Sequence, residues 1–195
     1  MEAAGLARRR WHSLALGAFV ALLAGCGPEQ SLDEQLIRAV RQKDLPEVER
    51  LLQSGADTNA DNVPGFEGRP PLFHAATFGY TDIAQELIDK GANADYGADR
   101  GAVTVLMIAS LNGAASTVEL LIGSGASVNA RAGDSTALTE AMRRGYPEVI
   151  ALLLAAGADP DVPMEDGSAP LCYAKSHNYA DAERLLREAG AHGEC

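Results

Sequence analysis

The side chains with the most evident chemical capacity in this 195-residue chain are its cysteines, its histidines and one run of carboxylates. Near the C-terminus they read Cys172-x4-His177-x14-His192-x2-Cys195, which has the look of a zinc set. On one helix, however, five residues turn through about 500°, which leaves Cys172 and His177 about 140° apart. That separation opposes a shared ion. Asp159, Asp161, Glu165 and Asp166 gather the oxygen ligands that calcium takes, but without the loop order of an EF-hand. His74, His177 and His192 have no neighbours in sequence that suggest a catalytic triad. Gly-x-Ser-x-Gly, His-Glu-x-x-His and a phosphate-cradling glycine loop are all missing from the sequence. The residues point away from an enzyme, and no metal, cofactor or small-molecule substrate is expected.

The charge balance narrows the partners. Lys and Arg number 16 against 27 Asp and Glu, a formal net charge of −11. Nucleic-acid binding needs a basic stripe to neutralise phosphates, and this balance argues against one. At 47% hydrophobic and 22% charged the chain has the composition of a folded protein.

The N-terminus carries a different kind of chemistry. Arg8-Arg9-Arg10 precedes an uncharged apolar run from Leu14 to Ala24, which ends at Leu23-Ala24-Gly25-Cys26. The run is shorter than the roughly 20 residues of a spanning helix and has the size of a secretory signal core. The whole segment resembles a bacterial lipoprotein signal peptide with its lipobox. The resemblance implies removal of residues 1–25, acylation of Cys26 and a short tether over 26–31. Loss of Glu2 and three arginines would leave 13 basic and 26 acidic residues, a net of −13. Gly27 stands where Asp retains such proteins in the inner membrane, so the resemblance implies an outer-membrane anchor facing the periplasm. Gly27-Pro28-Glu29-Gln30 reaches about 14 Å at full extension, which keeps the rest of the chain close to the lipid surface.

The elements beyond this tether are set by a repeat. Gly-Ala stands at 55–56, 91–92, 125–126, 157–158 and 190–191. Sixteen residues before each glycine is an alanine (39, 75, 109, 141, 174), and three before that a leucine (36, 72, 106, 138, 171). Leucine and alanine three apart share one face of a short helix. Gly79, Gly113 and Gly145, with Asn178 in the last unit, supply a positive φ between two helices. Paired apolars such as Leu87-Ile88 then precede the Gly of Gly-Ala, which ends the second helix. Pro46 and Pro147 suit the starts of second helices. Ser31-Leu32-Asp33-Glu34 has capping-box spacing, and Leu186-Arg187 makes the last pair half polar, as a terminal unit requires.

Five such units resemble the ankyrin repeat. The implied fold is an all-α solenoid over 32–195, five helix-turn-helix repeats with hairpin fingers, at about 32–60, 69–96, 103–130, 135–162 and 168–195. The family's opening Thr-Pro-Leu-His is incomplete in every unit: Pro70, Thr104, Thr136 and Ala169 hold the Thr position, and Phe73, Met107, Thr139 and Cys172 the His position. Packing is therefore expected to replace polar ties between repeats. In such a stack the chain after Ala191 runs back past Cys172. Two states stay open for Cys172 and Cys195. One is a disulfide, closing a loop of about two dozen residues and adding roughly 3 kcal/mol. The other is a buried Cys172 beside a free Cys195.

The resemblance also implies where a partner binds, on the fingers and the exposed face of the first helices. The corresponding residues are Phe66, Glu67, Arg69, Phe78, Arg100, Leu111, Asn112, Arg143, Arg144 and Glu165. Phe78 and Leu111 are expected as neighbours, with Phe66 above and the arginines beside them. The implied function is non-catalytic: a membrane-anchored scaffold or adaptor for an envelope protein with a basic surface. The alternative is an inhibitor or immunity protein acting on a periplasmic toxin.

Overall fold

The computed structural model describes residues 30–97 and 102–193. Cys26, Arg100 and Cys195 lie outside the described residues, as do residues 1–25, for which a signal peptide is expected. From Leu32 the chain forms one compact unit.

Ten helices pair into five units among the described residues. They are α1 (Leu32–Arg41) with α2 (Leu45–Gln53), α3 (Pro71–Phe78) with α4 (Thr81–Asp89), and α5 (Val105–Leu111) with α6 (Ala115–Gly123). The last two pairs are α7 (Ala137–Arg144) with α8 (Pro147–Ala155), and α9 (Pro170–Ser176) with α10 (Ala180–Glu188). Helices of this length are marginal alone, so packing must hold them. Each repeat buries the same frame. Leu36, Leu72, Leu106, Leu138 and Leu171 are buried, as are the five alanines three residues on. Leu51, Leu87, Leu121, Leu153 and Leu186 close the core from the second helices. The small alanine is what allows first helices of adjacent repeats to approach closely, and these helices form one continuous core.

The turns obey local chemistry. Gly79, Gly113 and Gly145 hold φ of 66°, 70° and 68°, and Asn178 takes 58° in their place. Lys43 fills the same position in the first repeat at 58°, with no sequence signal to mark it. Pro46 and Pro147 lie in the first turns of α2 and α8. Thr104 caps α5 by accepting from the Met107 N–H, and Thr136 and Thr139 form a reciprocal capping box on α7. Pro70 and Ala169 make no side-chain cap. In the finger regions an isolated bridge joins Ala132 and Ser135, and the other described fingers are turns.

The expectation that packing alone ties the repeats is corrected by the loops. Four residues after the Gly of the first four Gly-Ala pairs stand Asn59, Asp95, Asn129 and Asp161. Each accepts a backbone N–H of the next repeat: Asn93 at 2.8 Å, Ser127 at 2.8 Å, Asp159 at 2.8 Å and His192 at 2.6 Å. Asn59 and Asn129 also donate through Nδ2 to the carbonyls of Gly91 and Gly157. Asp33 starts the ladder by accepting from Asp57. The polar ties lost at the Thr-Pro-Leu-His positions reappear in the loops, where an Asn or Asp in each repeat can reach one neighbour's backbone.

Candidate partner-binding surface

The first helices and fingers carry the expected surface residues, but they divide into separate places. Phe66 is a correction. It stands on the finger yet is 7% exposed, because Ile37 and Val63 enclose it in a small core of their own. An aromatic ring at a finger base finds apolar cover in the preceding repeat, and burial wins. Glu67 and Arg69 remain exposed and pair at 3.1 Å. The Arg69 guanidinium also lies 4.8 Å from the Phe73 ring centroid, a cation–π contact that holds it against the stack.

At the other end of α3, Phe78 is 46% exposed. It stacks on Tyr80 with ring centroids 5.5 Å apart. A helix of eight residues spans about 12 Å, so Phe66 and Phe78 sit at opposite ends of one repeat. Asn112 is exposed and Leu111 half-buried. Phe78 and Asn112 line a common groove with Gly79, Ala114, Ser116 and Glu148. The arginines do not join it. Arg143 lines a second groove with Met164, Glu165, Asp166 and Tyr173. There it pairs with Glu140 at 2.7 Å and Glu165 at 3.4 Å. Arg144 is exposed. Phe66, Phe78 and Arg143 thus belong to three places and not to a single patch.

The carboxylates considered for calcium each have another task. Asp161 holds the His192 backbone and ring, and those bonds keep its carboxyl below the usual range. Asp166 is likewise lowered by the Ser168 hydroxyl and N–H. Asp159 accepts from the Asp161 N–H, and Glu165 faces Arg143. Among the described residues no group of three or more His, Cys, Asp or Glu is placed to hold a metal. Cys172 is disulfide-bonded. A Cβ built on Gly193 would stand 3.7 Å from its Sγ, so the C-terminal segment does pass this residue.

His74 is the one buried polar side chain with an unmet atom among the described residues. Its Nε2 has no hydrogen-bond partner, and its ring meets Phe66 edge-on at 6.0 Å. Burial lowers its pKa to about 4, with Arg41 and Arg69 adding to the effect.

Two features were not anticipated from the sequence motifs. One is the Asn/Asp ladder, whose signal is the constant offset from Gly-Ala. The other is a row of tyrosines at 80, 146 and 179, each next in sequence to the left-handed residue of its repeat.

Comparison with known proteins matches this architecture. A family model described as ankyrin repeats, three copies, fits residues 36–132 and again 106–194. The chain is 36% identical over 155 residues to the ankyrin repeat and KH domain-containing protein mask-1 of Caenorhabditis elegans, covering 78% of this chain and 6% of that protein. It is 36% identical over 124 residues to the E3 ubiquitin-protein ligase hecd-1 of the same organism, covering 62% of this chain and 4% of the ligase. An ankyrin repeat-containing protein of Treponema pallidum (strain Nichols) is 31% identical over 147 residues, 75% of this chain and 48% of its own length. The chain spans under half the length of each, so the likeness is one of repeat domains. With the repeat frame, the helix pairs and the family match in agreement, the chain belongs to the ankyrin repeat family, whose fold is a generally non-catalytic protein–protein interaction module.

Proposed function

We propose that this protein is a lipid-anchored adaptor that holds another envelope protein on the edge of the stack bearing Phe78. The observation that carries the reading is the Phe78 ring, nearly half exposed and stacked on Tyr80. An exposed aromatic ring already packed on a neighbour is the kind of anchor that interface hot spots use, since pre-organisation lowers the entropy cost of binding. The acidic balance of the chain suits a partner with a basic surface, through steering of the encounter. The lipobox-like Leu23-Ala24-Gly25-Cys26 supports the anchor and, with Gly27, an outer-membrane site facing the periplasm.

Co-purification from detergent-solubilised envelope tests the adaptor reading, comparing the wild type with Phe78→Ala/Leu111→Ala. Recovery of one partner should fall at least about tenfold in the variant. Equal recovery of the same proteins removes Phe78 from the interface.

Intact mass of the purified protein tests the anchor and the cysteines together. We assign Cys195 as the partner of Cys172, on the closeness of Gly193 to the Cys172 sulfur. The expected species starts at Cys26, carries acyl chains and gains about 2 Da on reduction. A chain retaining residues 1–25 rules out the anchor, and no gain on reduction rules out the bridge.

A further inference from the structure

The groove beside Arg143 lies where the last turn of α7, the finger over 162–168 and the start of α9 converge. Its volume is about 250 Å³, below that of small-molecule sites and suited to one side chain. The lining is mostly apolar. Met164 is 3% exposed, and the half-buried Tyr173 ring is backed by His177, with the two rings stacked and their centroids 4.0 Å apart. The charge sits at the rim. Arg143 meets Glu140 closely and Glu165 more loosely, whereas Asp166 has no ion pair among the described residues. Three carboxylates thus meet one guanidinium, and the rim keeps a negative excess.

We propose that this groove receives the side chain of a lysine or arginine of the partner protein, its aliphatic stem along Met164 and Tyr173 and its charged head at Asp166 and Glu165. The proposal rests on the adaptor reading and names the chemistry that the partner presents to the fourth and fifth repeats. Lining and rim together select the occupant. An apolar side chain would cover the lining but strip water from Asp166 and Glu165 without replacing it. An acidic side chain would meet both carboxylates with like charge. A cation on an apolar stem satisfies both, since long basic side chains bury their methylenes and keep the head at a polar edge. The Tyr173 ring adds a cation–π partner within the same groove. The formal charge of −11 on the whole chain steers a partner of the same sign towards it.

Three peptides titrated into the detergent-solubilised full chain test the groove by amide NMR. The probe is acetyl-Ala-Lys-Ala-amide. One control replaces lysine by norleucine, which keeps a stem and removes the charge, and the other by diaminopropionate, which keeps the charge and shortens the stem. The lysine peptide should shift the Glu165, Asp166 and Tyr173 signals with a Kd of about 5 mM. Each control should bind at least about threefold more weakly. Norleucine binding as well as lysine overturns the charge requirement, and diaminopropionate binding as well reduces the site to an acidic surface, so either result overturns the proposal. Asp166→Asn keeps an oxygen for Ser168 and should weaken the lysine peptide about threefold, with a flatter salt dependence. Tyr173→Leu should weaken it by a similar factor. Binding unchanged by both substitutions overturns the groove. The partner recovered from the envelope separates the two readings. Loss with Phe78→Ala/Leu111→Ala but not with Asp166→Asn/Tyr173→Leu overturns the groove and leaves the adaptor standing. Loss with the second pair alone supports the groove and removes Phe78 from the interface, and loss with neither removes both. Self-association of this chain that the lysine peptide dissolves would assign the groove to a second copy and overturn a foreign partner.

Discussion

Gly145→Val is expected to destabilise the protein by about 3 kcal/mol, from two costs that add at one atom. The first is conformational: φ is 68° there, and a β-branched residue in that region is strained. The second is steric. A Cβ at this position would stand 2.8 Å from Cζ of Tyr179, well inside contact distance, so ring and backbone must separate. Separation is costly because this is the interface between the fourth and fifth repeats, and a solenoid holds each repeat only through its neighbours. The loss should therefore appear as early melting of α9 and α10, seen by hydrogen exchange, more than as a uniform fall in Tm. Gly157→Ala provides the contrast. Its φ is 86° but nothing lies within 4 Å, so only the conformational cost applies, about 1 kcal/mol. Adding Tyr179→Ala to Gly145→Val should recover part of the loss, which isolates the clash in a double-mutant cycle. Equal costs at Gly145 and Gly157 would show that the tyrosine row does not bear on the repeat interface.

The second large effect is acid sensitivity through His74. Burial holds the folded pKa at about 4, below the ordinary value of 6.5, because a charged ring beside Phe66, Arg41 and Arg69 has neither solvent nor a partner for Nε2. The facing charges are Arg41 on α1 and Arg69 and Glu67 on the finger, and the two cations oppose protonation more than the one carboxylate favours it. The folded pKa is depressed, so the unfolded chain takes up a proton first as pH falls. The contribution of neutral His74 is whole above pH 6.5, declines from there, and is lost once pH passes through about 4. It should amount to about 3 kcal/mol at the acid limit. His74→Asn keeps a donor near the ring's hydrogen-bonding position and does not titrate. The difference in unfolding free energy between wild type and His74→Asn should narrow by that amount between pH 7 and pH 4. Comparing the two cancels the common carboxylate effects, among them those of Asp161 and Asp166. A constant difference across the range would remove His74 as the cause.

Much of the fold was legible because it rests on local rules repeated five times. A leucine, an alanine three residues on and a Gly-Ala sixteen further each act within a turn or two of helix, and all five copies bury alike. Asn178 was readable as a left-handed position for the same reason, whereas Lys43 was not, since lysine carries no such preference. The surface was less legible. Phe66 and Phe78 are the same residue type, twelve positions apart, near opposite ends of one helix. One is covered by Ile37 from the preceding repeat together with Val63, and the other is left in solvent. Residue type could not distinguish them, because Ile37 lies on α1 and is remote in sequence from the ring it covers.

The amino-acid sequence by itself determined the number of repeats, their helix pairs and their turns, since these depend on contacts between near neighbours in the chain. Only the tertiary structure decided which neighbours meet across repeats. Asn59, Asp95, Asn129 and Asp161 became a ladder, and Tyr146 and Tyr179 became covers for glycines one repeat earlier. Contacts between repeats depend on how far one unit is shifted and rotated on the next, and that is a property of the stack and not of any single repeat.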